Sequence, residues 1–341
     1  MSRATRSVVT GGAGFVGSHL VELLLERGDD VVVLDDLSTG NSENLAAVDG
    51  HPRLEVREGS VLDRPFARRA LDGSDRVFHL AAAVGVNLIV DSPLSSLRTN
   101  IHGTETVLQA ALDAEIDVLL ASTSEVYGKN TADRLHEDSD RILGSSLLSR
   151  WSYSAAKGID EAFAHAYWNE LGLPVTIIRL FNTVGPRQTG RYGMVLPRLV
   201  GQALRGETLT VYGDGQQTRC FSYVGDVVPA MVDVVEHRAS KGKAYNLGGA
   251  EEISMLHLAH RILAVTGSAS DVTLVPYEQA YSAGFEDMRR RVPDNTRAHE
   301  LVGFVPRTPL DTMIADVAAD ITARTTAPPS PAQHLATSRV D

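Results

Sequence analysis

The chain of 341 residues is long enough to bury a sizeable core, as one large domain or two intimate ones. Its formal charge of −11 gives a nucleic-acid partner no electrostatic support, and an anionic substrate would need a local cationic pocket. Cys220 is the only cysteine, which excludes an intrachain disulfide, and no apolar stretch approaches the roughly 18–20 residues of a membrane span.

No signal-like apolar run precedes Ser7, so the expected setting is reducing and cytoplasmic, with no membrane partner. Ser7–Thr10 is a short β-branched run feeding a glycine turn. Val16–Glu26 follows with apolar residues at helical spacing (Val16, Leu20, Leu23, Leu24), and Val31–Leu34 is a continuous apolar run ending in Asp35-Asp36. That order, strand, turn, helix, strand, predicts a βαβ unit with a right-handed crossover. The alternation continues with a strand Leu54–Glu58, a helix Pro65–Leu71, a strand Arg76–Leu80 and a helix Thr104–Ala114. A strand Asp117–Ala121, a helix Ser154–Leu171 and a strand Val175–Leu180 complete it. The prediction is an α/β fold with a Rossmann-like, doubly wound parallel sheet.

From about Pro186 the segments shorten and Gly and Pro become more frequent. A helix near Val195–Arg205, a strand Thr208–Val211, a helix Val227–Glu236, a strand Lys243–Leu247, a helix Met255–Thr266 and a final helix near Leu310–Ala323 are expected. They are read as a smaller C-terminal α/β lobe that closes over the substrate. The expected division is residues 1–180 for the cofactor domain with its catalytic helix and 181–322 mainly for the substrate lobe. Residues 323–341 are rich in Pro, Ser, Thr and Ala, lack an apolar face, and are expected to be a disordered tail. No internal repeat is present.

Gly11, Gly14 and Gly17 form G-x-x-G-x-x-G between a predicted strand and a predicted helix. One glycine allows the tight turn, one lets the backbone approach a pyrophosphate, and one packs the helix on the sheet. The helix N-terminus then faces the phosphates. An ordinary glycine-rich turn would share the spacing. It would not also place an acid, Asp35, 24 residues past Gly11 at the end of the second strand. Asp35 should accept from the adenosine ribose and repel a 2′-phosphate, so NAD is favoured over NADP. No Gly-Lys-Ser/Thr follows the glycines, which excludes a Walker loop.

Tyr153 and Lys157 lie one helical turn apart and share a face. The Lys157 ammonium and a positive nicotinamide are both expected to favour the tyrosinate, so that Tyr153 works as a base well below its reference pKa of about 10. Ser122, Thr123 and Ser124 follow the strand Asp117–Ala121, at the carboxyl end where open α/β sheets bind ligands. A hydroxyl there can hold the substrate oxygen while Tyr153 moves the proton. A solvated helix could carry Tyr and Lys at this spacing by chance; the upstream glycine fingerprint decides against that.

The long motifs TGGAGFVGSHL (10–20), HLAA (79–82), TSEVYG (123–128), RWSYSAAK (150–157), RLFNTVGPRQ (179–188), LTVYGDGQQTRCFSYVGDV (209–227) and YNLGG (245–249) are more specific. With them the chain, from about Ser7 to Thr322, resembles the extended short-chain dehydrogenase/reductases that act on nucleotide sugars. The resemblance implies that Phe15 and Val16 cover the pyrophosphate and that Leu80, Ala81 and Ala82 line the cofactor cleft. Asn100 supports the nicotinamide side, and Ser38, Thr39 and Gly40 join Asp35 on the adenosine side. Where the family often has an acid to read the adenine amine, this chain has Ser60, which leaves the contact to the Val61 backbone. Thr123 takes the hydroxyl role beside Tyr153 and Lys157. Asn182, Arg219 and Arg291 meet the diphosphate of a UDP-sugar, as planar bidentate arginines should. Thr210 and Tyr212 lie around the uracil, and Val195 is added to the substrate set. The helices 104–114 and 154–171 resemble those of a four-helix homodimer interface. His79, His102 and His165 are isolated, with no metal-ligand spacing.

Members of this family begin by oxidising the sugar at C4 and differ in the fate of the ketone. A 4,6-dehydratase would carry Asp-Glu before V-Y-G; this chain has Ser124-Glu125, so that branch is set low. Glu125 within TSEVYG and the RWSYS run resemble a bacterial UDP-glucuronate decarboxylase, while the Y-W-G-N-V-N segment of other UDP-xylose-forming enzymes is absent. Arg191, in the TGRYG loop, is a candidate grip for a substrate carboxylate, against the plain reading of a solvent-facing arginine. The expectation is an NAD-dependent UDP-sugar 4-epimerase, interconverting UDP-glucuronic and UDP-galacturonic acid, with catalytic residues Thr123, Ser124, Glu125, Tyr153 and Lys157. UDP-glucuronic acid decarboxylation through the same 4-keto intermediate, UDP-glucose 4-epimerisation, and a dinucleotide-binding sensor without turnover are the alternatives.

Overall fold

The computed structural model describes residues 3–85, 92–190, 193–280 and 286–326. The first half alternates strictly: β1 (Arg6–Thr10), α1 (Phe15–Glu26), β2 (Asp30–Asp35), β3 (Leu54–Glu58), α2 (Arg64–Leu71), β4 (Arg76–His79), α3 (Pro93–Ala114), β5 (Asp117–Thr123), α4 (Ser152–Leu171) and β6 (Val175–Leu180). The second half is choppier. It comprises β7 (Thr183–Val184), α5 (Val195–Leu204), β8 (Leu209–Tyr212), β9 (Thr218–Cys220), β10 (Ser222–Tyr223), α6 (Val224–Glu236), β11 (Lys243–Leu247) and β12 (Glu252–Ser254). Then come α7 (Met255–Thr266), β13 (Val272–Val275), α8 (Tyr277–Ala280), β14 (Arg290–Arg291), α9 (Thr296–Val302) and α10 (Leu310–Thr326).

One seven-stranded sheet runs β11-β6-β5-β4-β1-β2-β3, and every pairing in it is parallel. Parallel strands covered on both faces read as unbroken apolar runs, and neighbours along each strand divide between the two faces. Val9, Val33, Phe78 and Leu119 join the core under α1 and α6. Their neighbours Val8, Val32, Val77 and Val118 join the core that holds Leu108 and Ala111 of α3 and Ala164 of α4. A third core gathers Leu196, Leu199, Leu209, Phe221, Leu258, Ile262 and Ile314 from α5, β8, α7 and α10.

The doubly wound fold expected from the sequence is present, with three revisions. β11 is not part of the smaller lobe: it forms the edge of the large sheet beside β6, because Tyr245 and Leu247 bury into the core under α1 and α6. α3 begins at Pro93, well before Thr104, since its first turns are polar and show no apolar period. α10 also runs on to Thr326, so residues 323–326 are helical, while 327–341 lie outside the described residues. No described helix is long and apolar enough to cross a membrane.

β1 sits between β2 and β4, where the direction of winding reverses. A crevice opens outside the carboxyl ends of the strands at such a point, and Thr10, His79 and Thr123 end the strands there.

Candidate active site

The turn after β1 is built for close approach. Gly11 has φ +70°, and a Cβ there would lie 2.8 Å from the Ala81 backbone nitrogen. A Cβ on Gly17 would lie 2.1 Å from the Gly11 carbonyl oxygen, so only glycine lets α1 meet the turn. Gly14 is the N-cap of α1 and supplies no side-chain cap, and no acid occupies the first turn, which opens on Phe15 and Val16. Those N–H groups and the helix dipole suit an anion.

Asp35 ends β2 with both carboxylate oxygens engaged. Oδ2 accepts from the Ala13 N–H and Oδ1 from the Leu37 N–H, each at 2.9 Å. Burial pushes its pKa up, against these two donors. Gly40 backs onto the same carboxylate. Ser38 donates to Asp36 Oδ1 at 2.5 Å, and Thr39 stays half-buried beside it. Ser60 accepts from the Leu62 N–H at 3.3 Å and so serves its own turn, while Val61 is buried. The Ala81 N–H donates to Thr10 Oγ1 at 3.2 Å; Leu80 and Ala82 flank it, half-buried. Asn100 accepts from the Ala83 N–H at 2.9 Å and fixes the chain just past β4. An open glycine cradle, an uncapped helix start and a buried acid on the β2 side together fit a dinucleotide.

Thr123 ends β5 and accepts from the Glu125 N–H at 3.2 Å, starting a 3-10 turn over Ser124–Tyr127. That turn places Glu125 inside a buried charge cluster. Arg150 Nη1 donates to Glu125 Oε2 at 2.7 Å, and Arg291 Nη1 lies 3.6 Å from Oε1. Arg291 also reaches Ser124 Oγ at 3.3 Å and Asn182 Oδ1 at 2.6 Å. Asn182 adopts φ +39° and donates to the Cys220 carbonyl at 3.0 Å. Arg219 donates to both oxygens of Asp287, at 3.0 and 3.1 Å, and Arg150 Nη2 lies 3.7 Å from Asp287 Oδ1. Three guanidiniums against two carboxylates leave one positive charge, the local cationic pocket that an acidic protein needs for an anionic substrate.

Burial would raise the Glu125 carboxyl, but Arg150 and Arg291 overcome it and hold it below the ordinary carboxylate range. Asp287 follows the same pattern through Arg219, Arg150 and Arg291. Burial, then Arg219, push the Arg291 guanidinium down to about 10.

Tyr153 and Lys157 are both buried on α4. The expected lowering of the Tyr153 pKa is not what the protein's own charges produce. Burial, then Glu125, then Asp160 push that hydroxyl upward. Burial comes first among these causes; beside it, the Lys157 ammonium lies 3.2 Å from Asp160 Oδ2, a carboxylate that offsets its charge. Ser122 turns away from the cleft and donates to Glu161 at 2.5 Å.

In the smaller lobe, Thr210 Oγ1 accepts from Arg198 at 2.5 Å and from Gln202 at 3.0 Å. The Arg198 guanidinium stacks 4.2 Å over the Tyr212 ring, and Val195 opens α5 on the same side. Arg191 lies outside the described residues. Sequence reasoning missed Arg150, Arg198, Asp160 and Asp287. Arg150 stands three residues before Tyr153, but its partners Glu125 and Asp287 are distant in the chain, and no local pattern announces them. Among the described residues, no group of His, Cys, Asp and Glu could hold a metal ion.

The GDP-mannose 4,6 dehydratase family profile matches residues 8–317, spanning the cofactor turn, the Tyr-Lys helix and the arginine cluster. The chain belongs to this family. Its members are extended short-chain dehydrogenase/reductases that act on nucleotide sugars, and the chain is an enzyme of that kind. It is 41% identical over 302 residues to the UDP-N-acetyl-alpha-D-glucosaminuronate decarboxylase of Bacillus cytotoxicus, covering 88% of this chain and 92% of that one. It is 35% identical over 308 residues to UDP-glucuronic acid decarboxylase 1 of Xenopus tropicalis, covering 90% of this chain and 69% of that one. The dTDP-glucose 4,6-dehydratase of Streptomyces venezuelae, solved with NAD bound, superposes with a TM-score of 0.85 at 32% identity, covering 94% of this chain and 98% of that one. The family, the parallel fold and NAD as the cofactor, all expected from the sequence, stand. Between the two expected outcomes for the ketone, the relatives favour the decarboxylase over the 4-epimerase.

Proposed function

We propose that the chain is an NAD-dependent UDP-hexuronate decarboxylase. The observation that carries this reading is Glu125, held as an anion between Arg150 and Arg291 and close enough to Tyr153 to raise its pKa. Two decarboxylases among the relatives support it. The higher identity to the Bacillus enzyme supports UDP-N-acetylglucosaminuronic acid as the first candidate substrate, with UDP-glucuronic acid second.

Gly11, Gly14, Phe15, Val16 and Gly17 would cradle the pyrophosphate, with Asp35 at the adenosine ribose. Bound NAD supplies the hydride acceptor for C4 of the sugar and afterwards returns the hydride. Tyr153 takes the proton of the C4 hydroxyl, with Thr123 beside it to orient that oxygen. Arg291 and Arg219 hold the diphosphate, and the cluster's one net positive charge offsets part of its negative charge. Once C4 is a ketone, the C5 carboxylate belongs to a β-keto acid. The C5–carboxyl bond then breaks, its electron pair passes to the C4 oxygen as an enolate, and CO2 leaves. Glu125 is ionised beside that centre. It disfavours a second carboxylate there and so favours departure as neutral CO2, an electrostatic role. A proton from solvent closes C5, so the net change is one proton taken up and one CO2 released.

The lobe built on the third core, mainly residues 181–322, closes over the nucleotide. A homodimer is proposed across the exposed faces of α3 and α4, where Leu94 and Ile159 are exposed; light scattering of the purified protein checks it. The function is tested by NMR and mass analysis of the sugar nucleotide after incubation with NAD and either uronate. A pentose product supports the reading, and a C4 epimer of unchanged mass overturns it.

A further inference from the structure

We propose that Asp160 is a positioning residue: its buried carboxylate holds the Lys157 ammonium and thereby sets the pH range in which Tyr153 can work. The proposal rests on Tyr153 being the base of the proposed reaction. Asp160 is 0% exposed and Lys157 2% exposed, and they stand three residues apart on α4 with Nζ and Oδ2 at 3.2 Å. A buried carboxylate is expensive unless it is paired. Neither Asp160 oxygen has an aligned hydrogen-bond partner among the described residues. Its polar neighbours are the Lys157 ammonium and the Thr104 hydroxyl.

Among the described residues, no second cation reaches it from the elements packed around α4. On α3, Thr104 Oγ1 is within hydrogen-bond distance of His79 Nε2, at 3.2 Å. On β4, His79 Nδ1 meets Thr10 Oγ1 at 2.8 Å, and burial keeps the ring neutral. On α4 itself, Glu161 is turned to Arg179, with bonds of 2.9 and 2.7 Å. Glu125, after β5, also acts on Tyr153 and is held by Arg150. Lys157 is therefore the cation that compensates Asp160, and Asp160 in turn cancels the charge that would otherwise stabilise a tyrosinate. The chain Thr10, His79, Thr104, Asp160, Lys157 runs from the cofactor turn to the catalytic helix.

Removing the Asp160 charge leaves the pair one unit more positive. That added positive charge favours the tyrosinate, so the Tyr153 midpoint falls.

The test uses the NAD-loaded full chain carrying 13C-labelled tyrosine, with the Tyr153 signal assigned by Tyr153→Phe. Asp160→Asn and Asp160→Ser remove the charge with different side-chain sizes, and thermal melting selects whichever folds. The expected result is a Tyr153 titration midpoint lowered by at least about one unit, a tenfold change. The acidic limb of kcat/KM should move down with it, and Asp160→Glu should restore both. An unchanged midpoint in a folded variant, or a loss of melting temperature with no shift in the limb, would make Asp160 merely structural and overturn the proposal. The NMR midpoint is read without turnover. A chain that decarboxylates normally with no midpoint shift refutes the Asp160 role alone. A shifted midpoint with no decarboxylation refutes the proposed function alone.

Discussion

Arg150 Nη1 donates to Glu125 Oε2 at 2.7 Å, and the same guanidinium comes within 3.7 Å of Asp287 through Nη2. One arginine, three residues before Tyr153, thus ties the turn after β5 to the segment leading into β14. Removing it takes a buried guanidinium away from two half-buried carboxylates. Arg150→Ala is expected to destabilise the fold by about 3 kcal/mol, the usual range for breaking a buried pair. Urea denaturation checks this, and a cycle with Glu125→Gln should show that most of the loss is shared between the two residues.

Glu125→Gln keeps the shape of the side chain and removes the anion beside Tyr153. If the anion drives CO2 loss, decarboxylation should fall by roughly two orders of magnitude while NAD affinity stays within about threefold. Product formation and NAD titration, measured on the same preparation, separate the two effects.

Tyr153→Phe should lower kcat by roughly 100- to 10,000-fold, the contribution of a positioned acid or base, with NAD still bound. A dinucleotide sensor without turnover would be indifferent to this change. Isothermal titration with NAD alongside the activity assay distinguishes the cases.

His79 is neutral in the folded chain, because burial and then the Lys157 charge push its pKa from 6.5 down to about 3. The unfolded chain takes up this proton below 6.5, and the folded chain holds off until about 3. The stability contributed by His79 is therefore complete above pH 6.5 and is lost as the pH falls toward 3. The slope is at most about 1.4 kcal/mol per pH unit. Urea unfolding between about pH 7 and 5 should show this slope in the natural chain. His79→Asn, which keeps a polar side chain, should be flatter over that interval.

Gly17→Ala places a Cβ where the Gly11 carbonyl oxygen would be 2.1 Å away. The glycine turn must then open, and NAD binding should weaken by at least about 100-fold, by loss of the geometry that α1 presents to the phosphates. Calorimetric titration measures it directly.

Local chemistry explains what could be read in advance. The glycine turn, Asp35 and the Tyr153–Lys157 pair each sit within one or two turns of chain, so spacing alone displays them. The parallel strands were legible because both faces are buried and their apolar runs are unbroken. β11 was misplaced because sequence order says nothing about which sheet a late strand rejoins. The Arg150–Glu125–Asp287 cluster was invisible for the same reason, since its members meet only after β5, α4 and β14 converge. Asp160 stood in plain view at i+3 from Lys157, yet helical spacing does not reveal burial. Burial of Tyr153 itself, then Glu125 and Asp160, turned the expected lowering of its pKa into a rise. Thr210 was expected in the smaller lobe around the uracil; the arginine that engages it, Arg198, lies on a helix whose polar positions carry no motif.

The central claim is that the C4 ketone loses CO2 rather than turning over to its epimer. The decisive measurement follows purified protein, NAD and UDP-N-acetylglucosaminuronic acid, with UDP-glucuronic acid in parallel, by time-resolved proton NMR and mass spectrometry. The account predicts a UDP-linked pentose lighter by one CO2, with the C5 position carrying one solvent-derived hydrogen when the reaction is run in deuterated water. A product of unchanged mass with an inverted C4 hydroxyl would contradict it and restore the 4-epimerase.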